Sequence, residues 1–439
     1  MRILLVQPPV DYSVPRAFHT EGLGIAYIAS VLRRDGHEVE LLDAHTSCLS
    51  LDATIHEILS RNFQVLGITS ADNHRNALIT IVSAVRSHRK DATICAGGYL
   101  PTLSHEQLLR ACPKLDFVVR GEGELTVSEV FRRIEANEDW HDVSGIAYLK
   151  GDEICTNSMP PLIDDLDSLP FPARDALLQA APGVAKSAGV ATSRGCYHNC
   201  SFCCISAFYG LHERRAPRFR DPVKVVDEIE DVIRTTGLRE IRFIDDDFIG
   251  PGEKSWARAQ TIAQEIIDRR VDINFRLECR ADEVHEETLK LLKDAGLTEV
   301  FLGIESMVPR ALQTFNKQTT VEQNLAAIEL VRRLGIKLRI GYIMFDPYLT
   351  VEELQEHLKI IKTLGFDREA QDGPAPFVTR LNVFRGTPLA DKLSEDGLLI
   401  DDGFKLDYRY REPLIGLLFR GAILMGRVSS TINRFTKRK

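Results

Sequence analysis

Near the middle of the chain the sequence reads Ser193-Arg194-Gly195-Cys196-Tyr197-His198-Asn199-Cys200-Ser201-Phe202-Cys203, which contains three cysteines at CxxxCxxC spacing. Thiolate sulfur is a soft ligand that suits iron, and the short spacers make the sulfurs of Cys196, Cys200 and Cys203 converge on one centre. The pattern predicts a [4Fe-4S] cluster held by three cysteines. Its fourth iron is then left open for a small molecule that binds through nitrogen and oxygen atoms.

A structural zinc loop is the alternative interpretation of the same cysteines. Its fourth ligand would come from Cys204, His198 or His212. Structural zinc sites usually present paired CxxC motifs far apart in the sequence, and the sequence contains no second motif of this kind. The spacing therefore favours the cluster, while zinc and a chance triplet stay open as alternatives.

The composition limits the class of protein. The chain has 439 residues with 44% hydrophobic and 27% charged side chains, which is typical of a soluble protein with two domains. A net charge of -8 argues against a nucleic-acid surface over the whole molecule. The opening residues 1–6 are too short for a signal peptide, and the apolar tract 414–425 is too short for a membrane span. We therefore expect a cytoplasmic protein without a nucleic-acid partner or a membrane span.

Residues 1–143 alternate short apolar runs with helical periods, which is the pattern of a parallel sheet covered by helices. Predicted strands are 2–6, 37–42, 65–69, 93–96 and 116–119, and predicted helices are 23–34, 53–62, 77–89, 105–111 and 126–136. Five such units predict a Rossmann-like or flavodoxin-like domain. Ligands of these folds bind at the carboxyl edge of the strands, although the glycines at that edge could also serve only to shape turns.

A second run of strands follows a hairpin and a proline-rich linker at residues 144–185. Predicted strands are 190–193, 240–244, 273–278, 299–304, 337–344 and 377–383, with helical periods between them. Six units predict a partial (βα)6 barrel at residues 186–390, with reactive groups at the carboxyl ends of its strands. Residues 391–439 are expected to form a short helical C-terminal tail.

The cysteine loop, with the aromatic Phe202 just before its last cysteine, resembles the radical S-adenosylmethionine (SAM) superfamily. In that family the amino and carboxylate groups of SAM bind the open iron. One electron from the reduced cluster then splits SAM and yields a 5'-deoxyadenosyl radical. The resemblance implies that an external one-electron donor of the flavodoxin or ferredoxin type is a partner.

The same resemblance assigns SAM-binding residues at the strand ends of the barrel. Glu278-Cys279-Arg280 is similar to the family's Glu-x-Arg, and Gly303-Ile304-Glu305-Ser306 is similar to its Gly-Ile-Glu-Ser segment. Carboxylates suit the SAM ammonium, so Asp246 and Asp247 are candidates for it, with a solvated charge run as the alternative. The implied SAM-binding set is Phe202, Asp246, Asp247, Glu278, Arg280, Glu305 and Ser306.

Asp346 departs from the family pattern. The fifth barrel strand is followed by Phe345-Asp346-Pro347, where much of the family has Gly-x-Pro. We expect the extra carboxylate to face the substrate as a catalytic residue. An aspartate that only caps the turn is the alternative.

Four loops of the first domain look like the cobalamin-binding domain of the B12-dependent radical SAM subgroup. The loops lie at residues 7–9, 21–27, 97–102 and 119–124. The motif Asp-x-His-x-x-Gly, which supplies a cobalt ligand in other B12 enzymes, is absent from the sequence. By resemblance, the cobalamin-binding residues are Gly22, Leu23, Gly24, Ser70, Gly97, Gly98 and Glu122.

Together these features predict a radical SAM enzyme that removes hydrogen from a small-molecule, biosynthetic substrate. The favoured outcome is cobalamin-dependent C-methylation. Radical dehydration, epimerisation or rearrangement with an empty or non-methylating B12-like domain is the first alternative. A methylthiotransferase acting on tRNA and a non-catalytic cobalamin or iron-sulfur sensor or carrier are weaker alternatives, since no matching cysteine set, RNA module or DNA-binding module is visible in the sequence.

Overall fold

The computed structural model describes residues 1–10, 21–181, 184, 187–212, 216–365 and 379–436. Within these ranges the chain forms two parallel sheets, each covered by helices. Helices long and apolar enough to cross a membrane are absent from this part of the chain.

The first sheet carries seven strands among the described residues, in the order β2-β1-β3-β4-β5-β6-β7. Its strands from β1 to β5 run parallel. They form here because short apolar runs such as Ile3 to Val6 can bury both faces under helices. The strands are β1 Arg2–Gln7, β2 Glu38–Asp43, β3 Val65–Thr69, β4 Thr93–Gly97 and β5 Phe117–Val119, and the helices are α1 Leu23–Arg34, α2 Leu51–Ser60, α3 Arg75–His88, α4 Tyr99–Leu103, α5 His105–Ala111 and α6 Glu124–Ala136.

The predicted hairpin extends this sheet. Strands β6 Ile146–Lys150 and β7 Glu153–Thr156 pair antiparallel with each other, and β6 pairs antiparallel with β5. The order of the parallel strands, 2-1-3-4-5, is that of a flavodoxin-like fold, so the predicted fold class of the first domain is confirmed. The domain boundaries themselves stay a prediction.

The second sheet has five parallel strands in the described part of the chain, in the order β14-β13-β12-β11-β8. They are β8 Ala188–Val190, β11 Glu240–Phe243, β12 Asn274–Arg280, β13 Leu297–Glu305 and β14 Lys337–Tyr342. Short α7 Asp175–Leu178 precedes them, and their helices are α8 Cys204–Tyr209, α9 Pro222–Thr236, α10 Gly252–Asp268, α11 Glu286–Asp294, α12 Pro309–Thr314, α13 Val321–Arg333 and α14 Val351–Thr363. This sheet is the predicted partial barrel.

Two barrel strands differ from the sequence prediction. The first ends at Val190, and the next residues, β9 Ser193–Arg194, pair with β10 Arg218–Phe219 in a separate small sheet. The chain turns between them because the buried Asp245 accepts hydrogen bonds from the backbone and hydroxyl of Thr192 at 2.7–3.2 Å and from the hydroxyl of Ser193. Of the sixth predicted strand, residues 377 and 378 lie outside the described residues, and the remainder makes one parallel bridge from Arg380 to Phe345.

The C-terminal tail packs on the barrel. It contains α15 Pro388–Glu395, the hairpin of β15 Leu399–Asp401 and β16 Leu406–Tyr408, and α16 Pro413–Thr436. Ile415 is buried, and the ring of Phe419 lies 5.1 Å from that of Phe345. The tail is therefore helical at both ends with a hairpin between.

A buried chain of ion pairs joins the two domains. Arg174, in the linker, donates to Glu21 of the first domain and to Glu228 of α9, both at 2.6 Å. Arg220 also binds Glu228 and reaches Asp167 of the linker at 2.9 Å. Side chains of Glu21, Arg174 and Glu228 are at most 5% exposed. Because each charge has a partner inside the protein, this network fixes how the first domain sits on the barrel.

Candidate active site

The cysteine loop is anchored at the barrel mouth by the end of α12. Ser201 donates its backbone N–H to the carbonyl of Phe315 at 2.8 Å and its hydroxyl to the carbonyl of Thr314 at 2.7 Å. The ring of Phe202 packs edge-on against Phe315 at 5.3 Å. Asn316 donates its amide to the carbonyl of Asn199 at 2.8 Å. These contacts hold the loop in one conformation without using any of its three thiols.

The thiols are suited to iron. Burial raises the pKa of Cys196 to about 12 and also raises the pKa of Cys200 and of Cys203. The thiols are therefore protonated before a metal binds. Iron binds cysteine as the thiolate, so formation of the cluster releases these protons. An Nη1 atom of Arg280 lies 3.6 Å from the Cys200 sulfur and adds a positive charge beside the future thiolate.

Both histidines of the zinc alternative point elsewhere. The Nε2 atom of His198 lies 2.5 Å from a carboxylate oxygen of Glu283, and the Nδ1 atom of His212 lies 3.1 Å from the carbonyl of Pro160. His198 instead ties the middle of the cysteine loop to the turn after β12. The donors that remain are the three cysteines of the loop and Cys204, which follows them as the first residue of α8. The CxxxCxxC set fits a [4Fe-4S] cluster with one open iron.

The two predicted SAM aspartates face different spaces. Asp246 faces a large cavity, and burial, followed by the charge of Asp245, raises its pKa to about 7. Asp247 points under the cysteine loop, within 4.8 Å of His198 and Glu283. It is 5% exposed, and neither of its carboxylate oxygens has a hydrogen-bond donor among the described residues. Burial raises its pKa well above the usual range, with the neighbouring Glu283 adding to the shift. A nearby cation would stabilise the ionised form of this buried carboxylate, so the environment of Asp247 fits the ammonium of SAM.

The end of β13 provides a second carboxylate at the barrel mouth. Glu305 has a left-handed backbone with φ of 61°, next to an irregularity in the pairing of β13 with β14. Its carboxylate lies 3.5 Å from the Lys317 ammonium. A Cβ at Gly303 would lie 3.0 Å from that ammonium and 3.1 Å from the carboxylate. The glycine therefore allows Glu305 and Lys317 to meet over the strand.

Other predicted SAM residues are already engaged. Arg280 donates to both carboxylate oxygens of Asp282 at 3.0 Å and to the carbonyl of Lys317 at 2.5 Å. Ser306 is fully buried, and its hydroxyl accepts the N–H of Val308 at 3.1 Å. Glu278 pairs with Arg242 at 2.5 Å, deeper in the barrel. Arg280 and Ser306 shape the site, while Glu278 belongs to the barrel interior.

Asp346 does not face an open space. Its carboxylate makes two hydrogen bonds with Arg310, at 2.8 and 2.9 Å, and accepts the N–H of Tyr348 at 2.9 Å. It is 1% exposed. This is the geometry of the turn-capping alternative, because Arg310 and the Tyr348 N–H occupy the carboxylate that was expected to face the substrate.

A cavity of about 500 Å³ lies between the carboxyl edge of the first sheet and the mouth of the barrel. Backbone glycines form much of its wall, because a Cβ at Gly98 would lie 2.7 Å from the carbonyl oxygen of Ser70, and Gly98 has φ of 102°. A Cβ at Gly24 would meet no atom within 4 Å, since this residue faces the open cavity. A smooth wall of this kind fits the broad face of a cobalamin ring.

Sequence prediction found part of this cavity wall. Five predicted cobalamin residues line it: Leu23, Gly24, Gly97, Gly98 and Glu122. Gly22 and Ser70 lie behind the wall, where Gly22 packs against Gln7 and Ser70 supports Gly98. The carboxylate of Glu122 binds Arg218 at 2.6 and 2.8 Å and lies 3.5 Å from Arg194. Burial opposes this charge, but the two arginines lower the pKa of Glu122 overall. Glu122 therefore links the two domains beside the cavity.

Several wall residues were missed. Among them are the aromatic and basic residues Tyr27, Tyr99, Arg194, Phe208, Tyr209 and Arg242. Three of these six have a signal in the sequence, because Tyr27, Tyr99 and Arg194 lie within the quoted motifs, while Phe208 and Tyr209 lie beyond the cysteine loop. Arg242 lies within β11 and has no such signal.

Comparison with known proteins agrees with this geometry. The radical SAM superfamily model matches residues 190–361, and the B12 binding domain model matches residues 12–131. An uncharacterized methyltransferase of Pyrococcus horikoshii is 30% identical over 372 residues, which cover 84% of this chain and 79% of that protein. The chain belongs to the B12-binding radical SAM enzymes. Its cofactors are accordingly a [4Fe-4S] cluster, SAM and cobalamin, as the sequence predicted.

Other relatives of this family extend the comparison. The 4'-phospho-dehydrooxetanocin synthase of Priestia megaterium is 27% identical, over 80% of this chain but only 49% of that protein. The structure of the cobalamin-dependent SAM radical enzyme OxsB, with aqua-cobalamin and SAM bound, matches with a TM-score of 0.77 at 23% identity, over 96% of this chain and 66% of that chain. The methyltransferase TsrM of Kitasatospora setae matches with a TM-score of 0.71 at 19% identity, over 90% of this chain and 75% of that chain. These structural matches confirm the fold.

Proposed function

We propose that this B12-binding radical SAM enzyme transfers a methyl group to an unactivated carbon of a small-molecule substrate. One observation carries the proposal: a single cavity is bounded by the glycine-rich edge of the first sheet and by barrel residues, among them Asp246, which adjoins the cluster loop through a hydrogen bond to the Gly195 backbone. A substrate placed at the barrel mouth would therefore lie between the two cofactor sites.

Each group of residues has a distinct role in the proposal. Cys196, Cys200 and Cys203 hold the cluster, and Phe202 packs behind it. Asp247 and Glu305 offer carboxylates to SAM, with Arg280 and Ser306 supporting that site. Leu23, Gly24, Gly97 and Gly98 form the cobalamin wall. When bound, the cluster and SAM supply a radical that removes hydrogen, and cobalamin supplies the methyl group.

The chain's own residues also keep the reaction apart from water. The ion pairs of Glu122 and Glu124 with Arg194 and Arg218 close the cavity where the two domains meet. Exclusion of water protects a reactive radical from side reactions. A one-electron donor of the flavodoxin or ferredoxin type and a cytoplasmic location belong to the same proposal.

Radical chemistry without methylation is the second candidate. Relatives at 27–28% identity include the 4'-phospho-dehydrooxetanocin synthase of Priestia megaterium and the anaerobic magnesium-protoporphyrin IX monomethyl ester cyclase of Synechocystis. Neither of these names describes a methyl transfer. The same two cofactor sites would then support a dehydration, cyclisation or rearrangement.

A labelling experiment separates the two candidates. The protein is reconstituted without oxygen with iron, sulfide and cobalamin, and is freed of excess cofactor by gel filtration. It is then incubated with a reductant, SAM carrying a deuterated methyl group and a small-molecule extract of the source cells. Methylation predicts a deuterium-labelled product together with 5'-deoxyadenosine and S-adenosylhomocysteine. A changed but unlabelled product with 5'-deoxyadenosine alone would overturn methylation and support the second candidate.

A further inference from the structure

The inner face of the barrel is charged. Arg242 of β11, Arg276 and Glu278 of β12, Glu299 of β13 and Arg339 of β14 line a cavity of about 220 Å³, together with the aromatic Phe301. The alternate positions on the same strands are buried and apolar, and they pack against the surrounding helices. Closed (βα)8 barrels fill their interior with branched apolar side chains. This barrel instead keeps a charged, open interior.

Strand register brings these charges side by side. Arg242 pairs with Arg276 across β11 and β12, and Arg276 pairs with Glu299 across β12 and β13. Arg339 of β14 lies next to Phe301. Since side chains alternate between the two faces of a strand, neighbours in register on the inner face point into the same space. Three guanidinium groups therefore surround one small cavity.

The positive charges are only partly neutralised. Glu278 lies 2.5 Å from Arg242, and Glu299 lies 3.4 Å from Arg339. The guanidinium of Arg276 makes a hydrogen bond of 3.3 Å to the hydroxyl of Ser187, and in the part of the chain described by the structure no carboxylate lies within ion-pair distance of it. Burial lowers the pKa of Arg276, and the charges of Arg242 and Arg339 add to this shift, while those of Glu299 and Glu278 oppose it. Glu299 also pairs with Lys337 at 3.0 Å, so among the described residues the three arginines of the cavity face two glutamates, one of which is shared with this lysine. The excess positive charge is centred on Arg276, which has no ion pair there.

We propose that this cavity binds an anionic group of the substrate, a carboxylate or a phosphate, with Arg276 as its main contact. The proposal rests on the proposed function, because it concerns the substrate of that same site. Guanidinium donors form a fork that matches both kinds of anion. A cavity of 220 Å³ has room for the acidic end of a molecule and not for a whole cofactor.

The position of the cavity predicts how far the acidic group of the substrate lies from the cluster site. Arg242 lines both this cavity and the larger one, so the two spaces adjoin. Arg276 precedes Arg280, which lies beside the cluster cysteine Cys200, by four residues on the same face of β12. Four residues of a strand span roughly 13 Å. The acidic group of the substrate would therefore lie about this far below the level of the cluster site.

The test uses full-length protein loaded with cluster and cobalamin and saturated with SAM, so that the SAM site itself is closed to anions. Binding of inorganic phosphate is followed by the relaxation of its ³¹P NMR signal, and binding of acetate by that of its ¹³C label. The variants are Arg276→Gln and Arg276→Lys. Arg239→Gln is the control, because Arg239 is an exposed arginine that directly precedes β11 of the same sheet and pairs with Asp272 outside the cavity. Iron and cobalamin content shows that each variant is folded.

We expect saturable binding of at least one anion to the wild-type protein and to Arg239→Gln. Its Kd should rise at least tenfold in Arg276→Gln and by less in Arg276→Lys, which keeps the charge but loses the fork. Binding of phosphate alone indicates a phosphorylated substrate, and binding of acetate indicates a carboxylate. Equal binding in all variants, or no saturable binding to the wild type, overturns the proposal. Wild-type protein that holds no cobalamin or does not cleave SAM would count against the proposed function instead.

Discussion

The two large sheets of this protein present different kinds of side chain to their ligands, apolar in the first sheet and charged in the second. The first sheet is apolar on both faces, and it meets the large cavity through the carboxyl-terminal halves of its strands, with apolar or small residues such as Leu5, Gly67 and Gly97. The barrel sheet is apolar on its outer face and charged on its inner face, where Arg276 and Glu299 lie side by side. When helices cover both faces of a sheet, a charged side chain in its middle would be buried without water, which costs free energy. A curled sheet leaves its inner face open, so charged side chains there can remain hydrated.

This difference assigns different binding chemistry to the two domains. The first sheet can hold a ligand through loops, backbone groups and apolar or small side chains near its strand ends. The barrel can also use side chains along the whole length of its strands. Substitutions in one domain should therefore remove one cofactor and spare the other, and the following predictions test that separation.

The largest effect is expected for Cys200→Ala. This change removes one of the three cluster ligands, so the cluster should be lost and no 5'-deoxyadenosine should form from SAM. Cobalamin should still be retained after gel filtration, because its wall in the first domain is unchanged. Iron content, visible absorption and product analysis measure the three properties.

Cys155→Ala is the matched control, since Cys155 lies in β7 of the first sheet. It should keep both cofactors and full SAM cleavage. Loss of cobalamin together with the cluster in Cys200→Ala would show that the two sites are not separate.

Gly98→Ala should produce the converse result. The added Cβ would lie 2.7 Å from the Ser70 carbonyl at a φ of 102°, so the wall of the large cavity must shift. Strain of this kind costs about 1–3 kcal/mol, which corresponds to roughly tenfold to hundredfold weaker cobalamin binding. Cluster content should be unchanged. Equilibrium binding of cobalamin, followed by absorption, measures the effect.

Gly237→Ala controls for backbone strain alone. Gly237 has φ of 73° at the end of α9, and a Cβ there would meet no atom within 4 Å. This variant should bind cobalamin as the wild type does. Equal weakening in both variants would mean that global destabilisation, and not the cavity wall, explains the result.

Glu228→Gln should weaken the junction between the domains. Glu228 lies between Arg174 and Arg220 and is 1% exposed, so its loss leaves two buried arginines without their shared partner. Breaking a buried ion pair by removing one partner costs about 3–5 kcal/mol. The free energy of unfolding in urea should fall by this amount, and both cofactors should be retained less well.

Glu230→Gln, on the solvent side of the same helix, is the control. It pairs with Arg269 at the surface and should change stability by about 0.5 kcal/mol or less. If Glu228→Gln is as stable as this control, the buried network does not hold the domains together.

The last prediction concerns the pH dependence of stability and leaves both cofactor sites unchanged. Burial raises the pKa of Asp43, at the end of β2, from 3.8 to about 6, although the backbone N–H groups of Thr46 and Gly22 oppose the shift. Between about pH 4 and pH 6 the folded protein keeps a proton that the unfolded chain has released. Stability therefore falls as the pH rises through this window, by about 3 kcal/mol for this group.

Unfolding free energies of wild type and Asp43→Asn at pH 4, 5, 6 and 7 isolate this contribution. The difference between the two proteins should change across the window and stay constant above it. Asp91→Asn, at an exposed carboxylate before β4, should keep the wild-type dependence. A difference that grows in favour of the wild type as the pH rises would contradict the prediction.

The sequence alone predicted many of the candidate binding residues that lie at the ends of strands. Apolar periodicity places the strands, the residues that follow them form loops at one edge, and Gly97-Gly98 and Asp246 were found in this way. The same logic fails inside strands, where Arg242, Arg276 and Arg339 look like ordinary solvent-facing residues of alternating strands. Asp346 shows a third case, because whether a carboxylate faces a substrate or a neighbouring arginine depends on Arg310, which lies 36 residues away in the chain.

By itself, the sequence determined the order of the two domains through its apolar periodicity, and its resemblance to known motifs implied the family and the three cofactors, because periodicity and motifs are local properties of the chain. Tertiary structure alone decided which charges meet. Glu21, Arg174 and Glu228 are separated by more than fifty residues each, yet they form one buried network. The charged barrel interior likewise exists only because the second sheet curls, which turns alternate residues of four strands toward a common space. Contacts of this kind depend on the distance between residues in the folded protein, and the spacing of those residues along the chain does not predict that distance.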